Sequence, residues 1–187
     1  MTLDQVIIKE REDKIMSLNL DPDEISIKFP AHRLPPIERI NEAIEYFKNE
    51  LEFTNKQFQS FPYLLNYSIE DNIKPTVEYY RNELGFESKQ FQSLPHLLGC
   101  SIEDNIKPKV EYYRNELGFE NKQFQSLPSL LSYSLEKRIK PRTEFLRIKK
   151  RNIPTKSLIY GNELFCKKLA KCPLEEYESF KEDYLKK

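Results

Sequence analysis

Glycine, tryptophan and long apolar runs are scarce in this sequence or absent from it. Only four of the 187 residues are glycine, and none is tryptophan. Because glycine-rich turns punctuate strand-rich chains, their scarcity favours helices, as does the abundance of leucine, glutamate, lysine and isoleucine. No apolar run approaches the roughly 18 residues of a membrane-spanning helix, so no membrane contact is predicted. The sequence therefore predicts an all-α protein.

Cysteine and histidine are also scarce. The three cysteines, Cys100, Cys166 and Cys172, form no CxxC pair, which argues against a disulfide framework or a zinc site and suits a reducing compartment. His32 and His96 show no metal-ligand spacing. The sequence also lacks GxGxxG, Walker, HExxH and GxSxG motifs. We therefore predict no metal site, no cofactor and no catalytic activity.

The first residues resemble no targeting signal. They turn acidic at Glu10, Glu12 and Asp13, whereas organelle transit peptides are rich in arginine and poor in acidic residues. We expect that a targeting segment has either been removed or was never present.

The sequence repeats itself with a period of 33 residues. Residues 62–94 match residues 95–127 without a gap at 28 of 33 positions, and the differences fall at 63, 66, 67, 76 and 88. Units that cannot bury their apolar faces alone bury them by stacking on their neighbours. We therefore predict a single array over residues 1–187, with a degenerate unit at about 16–39, repeats at about 40–61, 62–94 and 95–127, and a divergent basic C-terminal unit at about 128–187.

Each unit has the pattern of a helix with one apolar face. Apolar side chains recur at spacings of three and four residues, as in an α-helix; in one unit they are Ile69, Ile73, Val77, Tyr80 and Leu84. Ser68 is placed to cap the start of this helix, with Asp71 three residues on as its partner.

Proline and glycine mark the ends of the predicted helices. Pro75 lacks an N–H and crowds the preceding turn, which predicts a short helical turn, a break or kink, and then a main helix that starts near Pro75. Gly85 is predicted to end that helix in a left-handed conformation. Ser88 is predicted to cap a second, short helix over 89–94. Each unit thus consists of a long and a short helix.

Several strings in these units resemble repeats of the mitochondrial transcription termination factor (mTERF) family. The string SIEDNIKPKVEYYRNELGF is followed by SLPSLLSYSLEKRIKPR, and residues 133–142 are most similar to the last repeats of plant and algal members. The matching positions are Pro75, Pro108 and Pro141 after lysine, Glu-Leu-Gly at 83–85 and 116–118, and the Leu-Pro-x-Leu-Leu turns that begin at 94 and 127.

The resemblance implies both a fold and a function. It implies a short α-solenoid whose units each contain two α-helices and a 3-10 turn. It also implies a mitochondrial or chloroplast protein that binds DNA or RNA and acts in transcription termination, transcription regulation or transcript processing.

The positive charge of the chain is concentrated in one segment. Residues 134–172 contain twelve basic and three acidic residues, although the whole chain is neutral. Such an excess is one that a polyanion can bind, although a charged helical surface can also simply be solvated. The predicted nucleic-acid-binding residues are Arg138, Lys140, Arg142, Arg147, Lys149, Lys150, Arg151, Lys167 and Lys168; Lys137, Lys156 and Lys171 lie in the same segment.

Aromatic residues recur in the repeats and allow two interpretations, core packing or base stacking. Core packing is predicted for Tyr80, Tyr113, Phe91 and Phe124, which lie on or beside the apolar face. For Tyr79 and Tyr112 both interpretations stay open.

A different class of function also fits the sequence. Helical arrays can hold peptides or helices as protein-binding scaffolds, and the net negative charge of residues 1–133 suits a basic protein partner. A third possibility is a fragment of a longer array that has no nucleic-acid binding of its own. In each case the sequence predicts a monomer.

Overall fold

The computed structural model describes residues 3–18 and 35–186. Over these ranges the chain forms ten α-helices with 3-10 and π turns, and no strand. The all-α fold class with mTERF-type helical repeats is therefore confirmed. The chain divides into two compact units, Met1–Cys100 and Ser101–Lys187. Most of the predicted degenerate unit at 16–39 lies outside the described residues.

The first unit contains the two upstream repeats. Its α-helices are Leu3–Met16, Ile37–Glu50, Asn55–Ser60, Lys74–Leu84 and Ser88–Ser93. Its 3-10 turns are Pro62–Asn66 and Pro95–Gly99, and its π turn is Ile69–Ile73.

The second unit contains the third repeat and the basic segment. Its α-helices are Lys107–Leu117, Asn121–Ser126, Lys140–Ile148, Asn162–Phe165 and Leu174–Leu185. Its 3-10 turns are Pro128–Ser132 and Thr155–Leu158, and its π turns are Ile102–Ile106, Leu135–Ile139 and Cys166–Ala170. A long helix, a short helix and a 3-10 turn thus recur, as the resemblance implied.

The predicted serine cap precedes three of the long helices, those that begin at Lys74, Lys107 and Lys140. The Ser68 hydroxyl accepts a hydrogen bond of 3.1 Å from the Asp71 N–H and donates one of 2.8 Å to the Asp71 carboxylate. Ser101 and Ser134 accept from the N–H three residues on in the same way. Each serine satisfies a backbone donor that the first helical turn would otherwise leave unpaired.

The helix around Pro75 is widened, not broken. The Ile73 N–H donates to the Ser68 carbonyl five residues back, which is the π-helical pattern, and the α-helix continues from Lys74. The wider turn accommodates the proline ring, so the helix is not broken and the predicted main helix is correct. The helix Ile37–Glu50 has Glu42 at the proline position and contains no π turn.

The long helices end in left-handed residues. Gly85 and Gly118 have φ of 66° and 64°, as predicted for the glycine position. Glu52, which replaces this glycine in the upstream repeat, keeps the conformation with φ of 56°.

The cap of the short helix lies one residue earlier than predicted. The helix spans Ser88–Ser93, so Ser88 is its first helical residue and Glu87 is the cap. The Glu87 N–H donates to the Gln90 side chain at 2.9 Å, which completes part of a capping box.

A cluster of three aromatic rings forms the core of each repeat. In the second repeat Tyr80 stacks on Phe86, with ring centroids 5.2 Å apart, and Phe91 meets both rings edge-on. The same cluster forms 33 residues earlier and 33 residues later. Tyr80, Tyr113, Phe91 and Phe124 are fully buried, so the predicted core packing is confirmed.

Candidate nucleic-acid interface

Arg142 was predicted to contact phosphate but belongs to the core, and this prediction is corrected. Its side chain is 0% exposed. Its Nη1 donates to the carbonyls of Ser157 and Leu158 at 3.0 and 3.3 Å, and its Nη2 donates to Asn162 Oδ1 at 2.8 Å. The guanidinium lies 4.7 Å from the centroid of the Phe165 ring. Arg142 therefore fastens the 3-10 turn Thr155–Leu158 from inside.

The repeat register explains why Arg142 is buried. It stands one period after Lys109 and two after Thr76, and both of those residues are buried as well. Lys109 donates from Nζ to the Leu131 carbonyl at 2.7 Å, in the 3-10 turn that begins the next repeat. Burial lowers the pKa of Arg142, and the nearby positive charge of Arg138 lowers it further.

Arg138 also donates hydrogen bonds to the end of the 3-10 turn Thr155–Leu158 and to the two residues that follow it. Its guanidinium donates to the carbonyls of Leu158, Ile159 and Tyr160 at 3.1, 2.8 and 2.6 Å. It also lies over the Tyr133 ring, 4.0 Å from the centroid. Most of its donors are thus used inside the protein.

Lys140 and Arg147 occupy positions that are also basic in the two near-identical repeats. Lys140 pairs with Glu136 at 2.6 Å, and this hydrogen bond raises its pKa. Arg147 donates to the Glu116 carbonyl and carboxylate at 3.2 and 3.1 Å. The equivalent residues in the acidic repeats are Lys74, Lys107, Arg81 and Arg114. These two cations therefore belong to the repeat framework and do not distinguish the basic segment.

Lys149 forms an ion pair with Glu176 on the last helix. Its ammonium also lies 5.6 Å from the centroid of the Phe145 ring. This contact places the residues after the helix Lys140–Ile148 beside the start of the helix Leu174–Leu185.

Seven other cations of the basic segment are exposed and make no ion pair or side-chain hydrogen bond with any residue of 3–18 or 35–186. We name them the unpaired basic set: Lys137, Lys150, Arg151, Lys156, Lys167, Lys168 and Lys171. Lys150, Arg151, Lys167 and Lys168 were among the predicted binding residues. Lys137, Lys156 and Lys171 were not. The sequence signal for Lys137 and Lys156 is that each replaces a residue that is not basic in the preceding repeat, an aspartate and a glutamine respectively.

Two parts of the unpaired basic set are close together. Lys150 and Arg151 directly follow Lys149, and the ion pair of Lys149 with Glu176 brings them to the start of the helix Leu174–Leu185, just after Cys172. Lys171 precedes that cysteine and takes a left-handed conformation with φ of 54°, as does Lys150 with φ of 52°. Two basic turns therefore adjoin at one end of the second unit.

Tyr112 is half-buried and engaged by its neighbours. The Lys140 ammonium lies 5.9 Å from the centroid of its ring. Burial raises the pKa of Tyr112, while a hydrogen bond with Thr143 lowers it. Tyr46 and Lys74 form the same contact at 5.9 Å in the first unit. This tyrosine position thus serves contacts between successive helices.

Metal-binding groups are absent from the described parts of the chain. No group of three or more His, Cys, Asp or Glu residues there is arranged to hold a metal ion. No helix of these parts has the length and apolar character needed to cross a bilayer.

Comparison with known proteins identifies the family. Residues 76–166 match the mTERF family model. This range covers most of the second repeat, the third repeat and the greater part of the basic segment. No curated protein matches the chain. Proteins of the mTERF family are nucleic-acid-binding helical repeat proteins of organelles, and residues 76–166 of the present chain belong to this family.

Proposed function

We propose that this protein binds DNA or RNA through the unpaired basic set of its second unit. The proposal rests mainly on one observation: these seven exposed cations lack an acidic partner among the described residues. By contrast, the lysines that recur at the start of the long helices, Lys74, Lys107 and Lys140, each form an ion pair with a glutamate. A paired lysine must give up its carboxylate before it meets a phosphate. An unpaired one gains the contact and releases the counterions of the nucleic acid.

The two adjoining basic turns are the proposed centre of the interface. They contribute Lys150 and Arg151 from one turn and Lys167, Lys168 and Lys171 from the other. Arg151 is the member best suited to hold a phosphate, because a guanidinium can donate two parallel hydrogen bonds. The four lysines act as point charges and give affinity without base specificity.

The family supports the proposal of a role in organellar gene expression. We propose a monomeric, non-catalytic array that acts in a mitochondrion or chloroplast, in transcription termination, transcription regulation or transcript processing. The acidic upstream repeats are proposed to act chiefly as a spacer.

A polarisation titration with labelled random single- and double-stranded oligonucleotides tests this function. The test variant replaces Lys150, Arg151, Lys167, Lys168 and Lys171 by alanine. The matched control replaces five exposed lysines elsewhere, which changes the net charge equally: Lys9, Lys48, Lys56, Lys89 and Lys122. The proposal requires that the test variant loses binding and that the control keeps it. If the two variants lose oligonucleotide affinity equally, the loss is explained by net charge alone, and a local interface is contradicted.

A groove in the first unit supports the competing scaffold function. Tyr46 and Ile69 line it together with acidic residues that include Glu42, Glu45 and Glu50, and its volume is about 230 Å³. These carboxylates suit a basic protein segment. Two results together would establish the scaffold function. The wild-type protein would bind neither kind of oligonucleotide at low salt. It would bind a lysine-rich peptide, and the double variant Glu42→Gln with Glu45→Gln would bind that peptide more weakly.

A further inference from the structure

Two cysteines meet at the end of the basic segment. Cys166 begins the π turn Cys166–Ala170, Lys171 follows in the left-handed conformation, and the Cys172 N–H donates to the Cys166 carbonyl at 3.4 Å. This backbone hydrogen bond closes the turn and holds the two cysteines beside one another, as a disulfide between them requires.

The two thiols also share one apolar environment. Both side chains pack in the cluster that contains Phe145, Phe165 and Tyr177. Cys166 is 2% exposed, whereas Cys172 is half-buried. In the described residues no third ligand completes a metal-binding group around them, so the pair is suited to bond formation between its two sulfurs.

The environments of the two thiols give them different roles. Burial and then the neighbouring Cys172 raise the pKa of Cys166 to about 12. Burial raises the pKa of Cys172 as well, while the neighbouring Cys166 lowers it and the charges of Glu176 and Lys149 act in opposite directions. Cys172 is therefore the thiol that a small oxidant reaches first and that ionises more readily.

We propose that Cys166 and Cys172 form a reversible intramolecular disulfide in response to a peroxide. The Cys172 thiolate attacks one peroxide oxygen, the O–O bond breaks, and a sulfenic acid forms while hydroxide takes up a proton to become water. The Cys166 sulfur then attacks the sulfenic sulfur, the S–O bond breaks, and a second water leaves with the Cys166 proton. Two thiols are oxidised to one disulfide, and hydrogen peroxide is reduced to two molecules of water.

The disulfide would close a ring that carries three members of the unpaired basic set, Lys167, Lys168 and Lys171. Oxidation would thus fix the turn that presents these lysines. Only this consequence depends on the proposed nucleic-acid function. The thiol chemistry is measured without nucleic acid, so the two can fail separately.

The test treats the whole protein with hydrogen peroxide and digests it with trypsin. Cleavage after Lys167 and Lys171 places the two cysteines on different peptides. We expect a linked pair of peptides that separates on reduction, and a fall from three free thiols to one. Cys100→Ser should still form the linked pair, whereas Cys166→Ser and Cys172→Ser should not. The thermal midpoint of the oxidised protein should rise by several degrees and return on reduction.

Several results would overturn the proposal. One is a protein that keeps all three thiols under peroxide while a small dithiol in the same tube is oxidised. A second is oxidation of Cys172 to sulfinic acid without any linked peptide. A third is a disulfide that forms only through Cys100.

Discussion

The Tyr113 hydroxyl donates a hydrogen bond of 3.0 Å to the backbone carbonyl of Leu130. Tyr80 makes the equivalent bond of 3.3 Å to the Leu97 carbonyl, one period earlier. Both tyrosines are fully buried, and each bond ties a long helix to the 3-10 turn that begins the next repeat. This bond is thus part of what joins one 33-residue repeat to the next.

Stability should fall with rising pH because of these tyrosines. Burial raises the pKa of Tyr80 and Tyr113 far above the ordinary value. Above about pH 10 the unfolded chain loses phenolic protons that the folded protein keeps, so the folded state binds more protons and the free energy of unfolding decreases as pH rises. Urea titrations at pH 8 and pH 10.5 measure this decrease.

The variant Tyr113→Phe isolates the contribution of one tyrosine. Loss of the hydrogen bond to Leu130 should cost about 1 kcal/mol at pH 8. The decrease of stability between pH 8 and pH 10.5 should be smaller than in the wild type, because one buried phenol is gone. An unchanged pH dependence would contradict the assignment.

The left-handed helix ends predict two opposite changes in stability. Gly118→Ala should cost about 1 kcal/mol, because a side chain is strained at φ of 64° although no atom lies within 4 Å of the new Cβ. Glu52→Gly should stabilise the protein by a similar amount, because Glu52 holds that conformation already. Thermal unfolding of the two variants measures both effects, and equal signs would contradict the explanation.

Arg142→Ala should destabilise the protein and not act on binding alone. It would remove the donors of three buried acceptors and leave a cavity beside Phe165, at a cost of roughly 3 kcal/mol or more. Arg151→Ala, on the exposed surface, should change stability by less than about 0.5 kcal/mol. Chemical denaturation of both variants separates a core arginine from a surface one. Similar small effects would return Arg142 to the candidate interface.

Local features of the fold were predictable because they depend on neighbouring residues. Ser68 and Gly85 act within one helical turn, and their roles were correct. The π turn before Pro75 was missed, because sequence patterns show that a proline disturbs a helix but not how the turn relaxes. The cap at Glu87 was missed by one residue, because Ser88 is itself a good capping residue.

The candidate interface was less predictable, because charge alone does not show which cations are engaged. Arg142 satisfies the spacing of the buried helical face, three residues after Ile139 and four before Leu146, and this spacing was the available signal. The bonds of Arg138 to residues 158–160 depend on how the divergent segment folds back, which no repeat pattern specifies.

The salt dependence of oligonucleotide binding tests the central claim most directly. The logarithm of the association constant for duplex should fall linearly with the logarithm of salt concentration, with a slope of about −0.9 per phosphate contact. Alanine at Lys150, Arg151, Lys167, Lys168 and Lys171 should make the slope shallower by roughly 4 to 5, whereas the control with five substituted lysines elsewhere should keep the wild-type slope. A test variant that retains the wild-type slope would contradict the account.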